Sequence, residues 1–115
     1  MDRKPVIAIG ADHGGFILKE ELKKYLKEKG YTIKDSGTNS IESCDYPIIG
    51  YKVAKAVSKK KASYGIAICK TGFGMAIIAN KAKGVRSAVC DTPKEAESAR
   101  RHNDCNVLSL ASKRV

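Results

Sequence analysis

Short apolar runs alternate along this chain with longer amphipathic segments, and the period of the pattern switches with them. "VIAIGA" (residues 6–11) reads as a buried strand. In "FILKEELKKYLKEKG" the apolar positions recur at helical spacing. Leu18, Leu22, Tyr25 and Leu26 share one face, Glu20 and Lys24 form a supporting i,i+4 pair, and Gly30 stops the helix. "YTIKDSG" reads as a second strand and "TNSIESCDYP" as a loop. Pro47 then opens a helix that turns Val53, Ala54 and Val57 inward. "YGIAIC" is the third strand, residues 74–81 the next helix, and "VRSAVC" the fourth strand. Thr92, Pro93 and Glu95 in "TPKE" are an N-cap, a first-turn proline and a capping-box acid, so a helix starts there. "NVLSLA" is the fifth strand.

Strand and helix alternating five times implies right-handed crossovers and a parallel sheet with helices on both faces. The expected fold is α/β: a Rossmann-like three-layer α/β/α sandwich around a five-stranded parallel sheet, in a single domain over residues 1–115. Such sheets bind ligands outside the carboxyl ends of their strands. Attention therefore falls on the loops after strands one, three, four and five.

Composition narrows the partners. With 115 residues, 43% of them hydrophobic, the chain supports one core. No apolar run approaches the ~18 residues of a membrane span, and the N-terminus lacks a signal-peptide cleavage pattern, so a soluble cytoplasmic protein is expected, with no membrane partner. Cys44, Cys69, Cys90 and Cys105 show no zinc or redox spacing. Free thiols and no structural metal are expected, with Cys90 and Cys105 as small buried hydrophobes. The net charge of +10 points to an anionic partner. Lysines dominate it and arginines number five. With 6% aromatics and no stacking cluster, nucleic acid is disfavoured against a phosphorylated small molecule. Most of these lysines read as solvated helix faces.

Three loops carry candidate chemistry. "ADHGG" places Asp12 and His13 after strand one, before two glycines that allow close backbone approach to a polar ligand. Asp12 as a helix cap with His13 on the surface is an equally good reading. In "ICKTGFGM", Cys69 ends strand three beside Lys70, in a positive field expected to lower its thiol pKa. The glycine-rich turn after it fits a phosphate or a developing oxyanion, though it is not a Walker loop. "RRHNDCN" brings His102 to a helix end just before strand five. Both histidines of the chain thus fall at the edges where this architecture is expected to hold ligands.

With these segments placed, the chain resembles the ribose-5-phosphate isomerase B family, which also holds galactose- and allose-phosphate isomerases. The resemblance rests on "IGADHGGFILKEELKKYL", "DSGT", "DYP", "GIAICKTGFGMAIIANK", "GVRSAVC" and "ARRHNDCNVLSLASKR", in the family's order over nearly the whole chain. It implies an aldose–ketose isomerase working through a cis-enediolate, without metal or other cofactor. Cys69 matches the catalytic base of the cysteine-using branch; relatives with a glutamate base carry it where Met75 stands. Thr71, Gly72, Phe73 and Gly74 match the turn that stabilises the enediolate, and His102 matches the group that opens the sugar ring. Asp12, His13, Tyr46 and Asn103 match substrate contacts. The resemblance further implies a homodimer, or a tetramer built from it, in which His102 and Asn103 reach the neighbour's site.

Three departures stand out. Lys70 replaces a glycine; if that position needs a positive φ, strain of ~1 kcal/mol or more is expected, with the side chain projecting into the pocket and altering substrate choice. The family's phosphate-binding arginine aligns with Lys113, next to Arg114, which weakens the contact or shifts it to Arg114. Family members continue past the position of Val115 into another helix, so a sheet face beside strand five is expected to lie bare or to find another cover. Substrates to weigh are ribose 5-phosphate and, as alternatives, allose or galactose 6-phosphate. A non-catalytic phosphosugar-binding protein is the contrasting reading.

Overall fold

Five short strands pair in parallel in the order β2-β1-β3-β5-β4. They are β1 (Val6–Ala11), β2 (Thr32–Asp35), β3 (Tyr64–Cys69), β4 (Ser87–Val89) and β5 (Val107–Ala111), joined by α1 (Phe16–Glu28), α2 (Tyr46–Ser58), α3 (Phe73–Ala79) and α4 (Pro93–Asn103). The computed structural model describes residues 4–37 and 46–115, the side chains of Tyr46 and Pro47 excepted; Cys44 lies outside the described residues. The three-layer α/β/α reading holds. No helix among the described residues is long and apolar enough to cross a membrane.

Strand order follows burial. β5 has the longer apolar run, with Val107, Ser109, Leu110 and Ala111 all buried, and it inserts between β3 and β4. The three residues of β4 are only half-buried and take the edge. Ser109, wholly buried, is satisfied by the Ser87 hydroxyl at 2.7 Å.

On one face α2 and α3 lay Val53, Ala54, Met75 and Ala79 over Ala8, Ala67 and Val107. On the other, Leu18 and Leu22 of α1 pack against Ile9, Ala11, Ile68 and Leu110. Fully burying a side chain such as Ile9 or Ile68 stabilises by roughly 1.5–3 kcal/mol. No residue of α4 is buried. Beside it an open apolar groove of about 420 Å³ crosses Ile7, Ile66, Ala88 and Leu108, where bare sheet was expected.

α1 is rotated relative to the expected face. Tyr25, expected inward, is 55% exposed, whereas Lys19 is completely buried. At 100° per residue the two lie roughly 120° apart. Asp35 at the end of β2 supplies the reason, for it accepts from Lys19 Nζ at 3.0 and 2.9 Å and from Lys23 Nζ at 2.7 Å. Lys19 also donates to the Gly37 carbonyl at 3.2 Å. Glu20 pairs with Lys19 and Lys23 rather than Lys24. The helix ends as expected at Gly30, whose φ of +95° suits glycine. Bonds from Tyr31 N–H to Leu26 and from Gly30 N–H to Lys27 close the terminus in a Schellman pattern.

Candidate functional site

Two strand ends are tied together before any side chain is considered. Asp12 N–H donates to the Ile68 carbonyl at 3.0 Å, joining the end of β1 to that of β3. Ser112 N–H donates to the Cys69 carbonyl at 2.8 Å and Lys113 N–H to that of Lys70 at 3.3 Å, so the pairing of β3 with β5 continues beyond the strands. Asp12, Cys69 and Ser112 are thereby gathered at the carboxyl edge of the three central strands, the expected ligand position.

Cys69 is 6% exposed and faces the layer formed by α2 and α3. The chain turns back at Gly72, whose N–H donates to Cys69 Sγ at 3.1 Å. Gly72 has φ +83°, and a Cβ there would stand 3.0 Å from Val89 Cγ1 and 3.3 Å from the Leu110 carbonyl carbon. Glycine is therefore required twice, for conformation and for space. Phe73 N–H donates to Thr71 Oγ1 at 3.3 Å. Of the amides expected to converge on an anion, those of Gly72 and Phe73 are thus engaged within the turn. The N–H groups of Thr71 and Gly74 have no protein partner among the described residues. Met75, one residue past the turn, is wholly buried and belongs to the core.

Lys70 is exposed, and its backbone carries no strain. Among the described residues the non-glycine positions with positive φ are Lys60 and Asp104. The turn takes its left-handed residue at Gly72, two positions later, which removes the expected penalty. Arg114 is committed within the protein. Its Nε donates to Asp91 at 3.0 Å and an NH2 donor to the Thr71 carbonyl at 2.8 Å, while the guanidinium lies 5.4 Å from the centre of the Phe73 ring. It braces the turn, and the exposed Lys113 is the cation left beside it.

At the first loop both readings of Asp12 have a physical basis. One carboxylate oxygen caps the 3₁₀ turn His13–Gly15 by accepting from Gly15 N–H at 3.0 Å. The other has no partner among the described residues. His13 is exposed. Tyr46 opens α2, and its side chain lies outside the described residues. Ser112 was passed over in the sequence, yet its Oγ sits 3.9 Å from where a Gly14 Cβ would be, facing the first loop. Its place directly after strand five was the available signal.

The edge expected for His102 requires a correction, and Asn103 lies beside it. They end α4, which runs back to the amino edge of the sheet. There Asn103 accepts from Arg86 at 3.2 Å and Gly65 N–H donates to Asn106. Cys69 pairs with Ala111 at the opposite edge, about 13 Å away at ~3.3 Å per residue from Val107. Both residues are exposed. The sequence reading set the turn before strand five at the same edge as the loops that follow strands; a helix before a strand delivers its last turn to the opposite pole. Within one chain His102 and Asn103 do not join Cys69.

Cys90 is 4% exposed, and burial pushes its thiol pKa up, with Glu95, Cys105 and Asp91 nearby adding to the effect. It fits an inert core position; Cys105 is half-buried. Among the described residues no group of three or more His, Cys, Asp or Glu could hold a metal ion.

Comparison with known proteins places this geometry. Residues 7–115 match the family model described as Ribose/Galactose Isomerase. The chain is 48% identical over 109 residues to ribose-5-phosphate isomerase B of Escherichia coli, covering 95% of this chain and 73% of that protein. It is 39% identical over 112 residues to D-erythrulose-4-phosphate isomerase of Pectobacterium atrosepticum, covering 93% and 71%. The solved ribose-5-phosphate isomerase B of Clostridium thermocellum superposes with a TM-score of 0.93 at 48% identity, over 96% of this chain and 74% of that one. On the sequence match and the shared fold together, the chain belongs to the ribose/galactose isomerase family.

Proposed function

We propose that this chain, a sugar-phosphate isomerase by family, interconverts ribose 5-phosphate and ribulose 5-phosphate with Cys69 as the base. The observation that carries the reading is Cys69 itself, a thiol at the carboxyl end of a central strand, held by Gly72 N–H at 3.1 Å, with apolar Met75 where a carboxylate base would otherwise stand. In the ribose direction the thiolate of Cys69 takes the proton from C2 and charge develops on O1 as the enediolate forms. The Cys69 thiol, whose S–H exchanges with solvent, then delivers a proton to C1 while the O2 hydroxyl proton passes to O1, so no atom is gained or lost. Thr71 and the unengaged amides of Thr71 and Gly74 face the developing charge. Asp12 and His13 contact the sugar from the first loop, and Lys113 meets the phosphate as a point charge while Arg114 holds the turn.

His102 opens the furanose ring from a second copy of the chain, and Asn103 contacts the substrate from the same helix end. Exposed apolar side chains supply a surface for that copy. On the outer faces of α2 and α3, Ile48 is 55% exposed, Tyr51 48%, Phe73 57% and Ile77 61%. An apolar stripe of this kind next to a site is the usual mark of a protein contact. A homodimer through this stripe is the assembly we propose.

Substrate breadth is tested by assaying ribose 5-phosphate, allose 6-phosphate and galactose 6-phosphate in parallel. Turnover is expected to be fastest with the pentose; faster turnover of a hexose phosphate would move the assignment to that substrate. The second reading, phosphosugar binding without turnover, is favoured by the engagement of Arg114 within the protein. Saturable binding of ribose 5-phosphate with no product from a folded dimer would establish it.

A further inference from the structure

The described side chains hold a second concentration of positive charge, remote from Cys69. Between the exposed edge of β2 and the flank of α2 away from α3 lies an open cleft of about 460 Å³. Lys34, Lys52, Lys55, Lys59 and Lys61 line it, with Ala56 at its floor. The placement follows from sequence. Positions 52, 55 and 59 fall within about 60° of one another on a helix of 100° per residue, and Lys34 projects from the neighbouring strand.

Among the described residues the charge of this cleft is uncompensated. Asp35 is the acid in its wall, and both its oxygens are taken, Oδ1 by Lys19 and Gly37 N–H and Oδ2 by Lys19 and Lys23. None of the five lining lysines pairs with a carboxylate among the described residues. Lys55 instead lies over the Tyr51 ring, 5.8 Å from its centre. Five like charges around one concavity repel each other, and the arrangement is relieved by an anion able to meet several at once. A lone phosphate meets too few of them.

We propose that this cleft binds a linear polyphosphate chain. Its donors are lysines throughout, compact point charges that suit a flexible run of phosphates and lack the planar fork of arginine. The ring beside the cleft, Tyr51, is already covered by Lys55, so bases would find no stacking platform of the kind single-stranded nucleic acid uses. No residue that lines the cleft belongs to the catalytic site, and the one contact with the proposed dimer stripe is Lys55 on the Tyr51 ring.

The test is binding of short-chain inorganic polyphosphate to the intact protein by fluorescence anisotropy, beside oligo-dT and inorganic phosphate. Wild type is compared with Lys52→Gln/Lys55→Gln/Lys59→Gln and with Lys24→Gln/Lys27→Gln/Lys94→Gln, which removes the same charge from exposed positions elsewhere. Affinity is expected to fall roughly 100-fold in the cleft variant, at several-fold per lysine, and only a few-fold in the control. For wild type, five phosphate contacts imply a roughly 100-fold loss between 50 and 200 mM salt. Equal losses in the two variants would make the attraction diffuse and overturn the proposal. So would failure of polyphosphate to bind at low salt, or preference for oligo-dT.

Discussion

Lys19→Met tests the packing of α1 where sequence and structure part company. The wild-type side chain has no exposed surface and donates to both oxygens of Asp35 and to the Gly37 carbonyl. Breaking a buried pair by removing one partner generally costs about 3–5 kcal/mol, because the other charge is left uncompensated. Here Lys23 remains bonded to Asp35 at 2.7 Å and itself reaches solvent, while methionine restores most of the buried volume. The expected cost therefore sits lower, at about 2–3 kcal/mol, which is a large share of the roughly 5–15 kcal/mol that holds a domain folded. At ~4 °C per kcal/mol the melting temperature should fall by about 10 °C. Urea unfolding followed by circular dichroism reads the loss directly, since the chain has no tryptophan. Lys19→Met/Asp35→Leu should regain much of it, because replacing both charges by apolar groups leaves no orphan. A single variant within about 0.5 kcal/mol of wild type, the scatter of ordinary surface changes, would refute this account of the pair.

Three further predictions follow from the same contacts. Burial raises the Asp35 pKa, but hydrogen bonds from Lys23, Lys19 and Gly37 N–H outweigh it and hold the carboxyl below its usual range. A depressed carboxylate stabilises above its unfolded value of ~3.9 and loses that contribution as pH falls through the folded value. The stability deficit of Asp35→Asn should therefore be constant above about pH 5 and shrink as pH falls below about 4 in acid titrations; a deficit that does not shrink with falling pH would contradict it. Gly72→Ala should cost about 2 kcal/mol in denaturant unfolding, from its positive φ and the crowding at Val89 and Leu110, and lower turnover more than tenfold by displacing the turn on Cys69. If the site is shared between subunits, mixing inactive Cys69→Ala and His102→Ala should restore about a quarter of wild-type activity, through the intact site of each mixed dimer. Mixtures that stay inactive after subunit exchange would place ring opening elsewhere.

The fold was legible because local signals agreed with one another. The apolar runs became β1 and β3 with the expected ends, and Thr92 caps α4 by accepting from Glu95 N–H at 3.1 Å. Glu95 completes the box one residue early, on Asp91 N–H at 2.7 Å. Strand order was not legible, since β5 displaces β4 from its sequential place through burial that only the assembled sheet defines. Tyr25 and Lys19 exchanged places for a related reason: a partner distant in sequence, Asp35, outweighed the hydropathy of one helix turn. At the site, Cys69 and Gly72 could be read from a strand end meeting a glycine-rich turn. The internal use of Arg114 could not, because its partners Asp91 and Thr71 lie 23 and 43 residues away. His102 was misplaced because proximity to a strand in sequence does not tell which end of the sheet a helix terminus reaches.

The central claim is that Cys69 moves the proton, and exchange in deuterated water tests it most directly. Wild type and Cys69→Ala would be incubated with ribose 5-phosphate, with label at C1 of the ketose followed by NMR and sugar-phosphate binding measured by calorimetry on the same samples. The account predicts turnover and C1 labelling for wild type, with binding preserved but neither turnover nor label in the variant. Continued exchange in Cys69→Ala at a rate near wild type would contradict it and assign the base to another group.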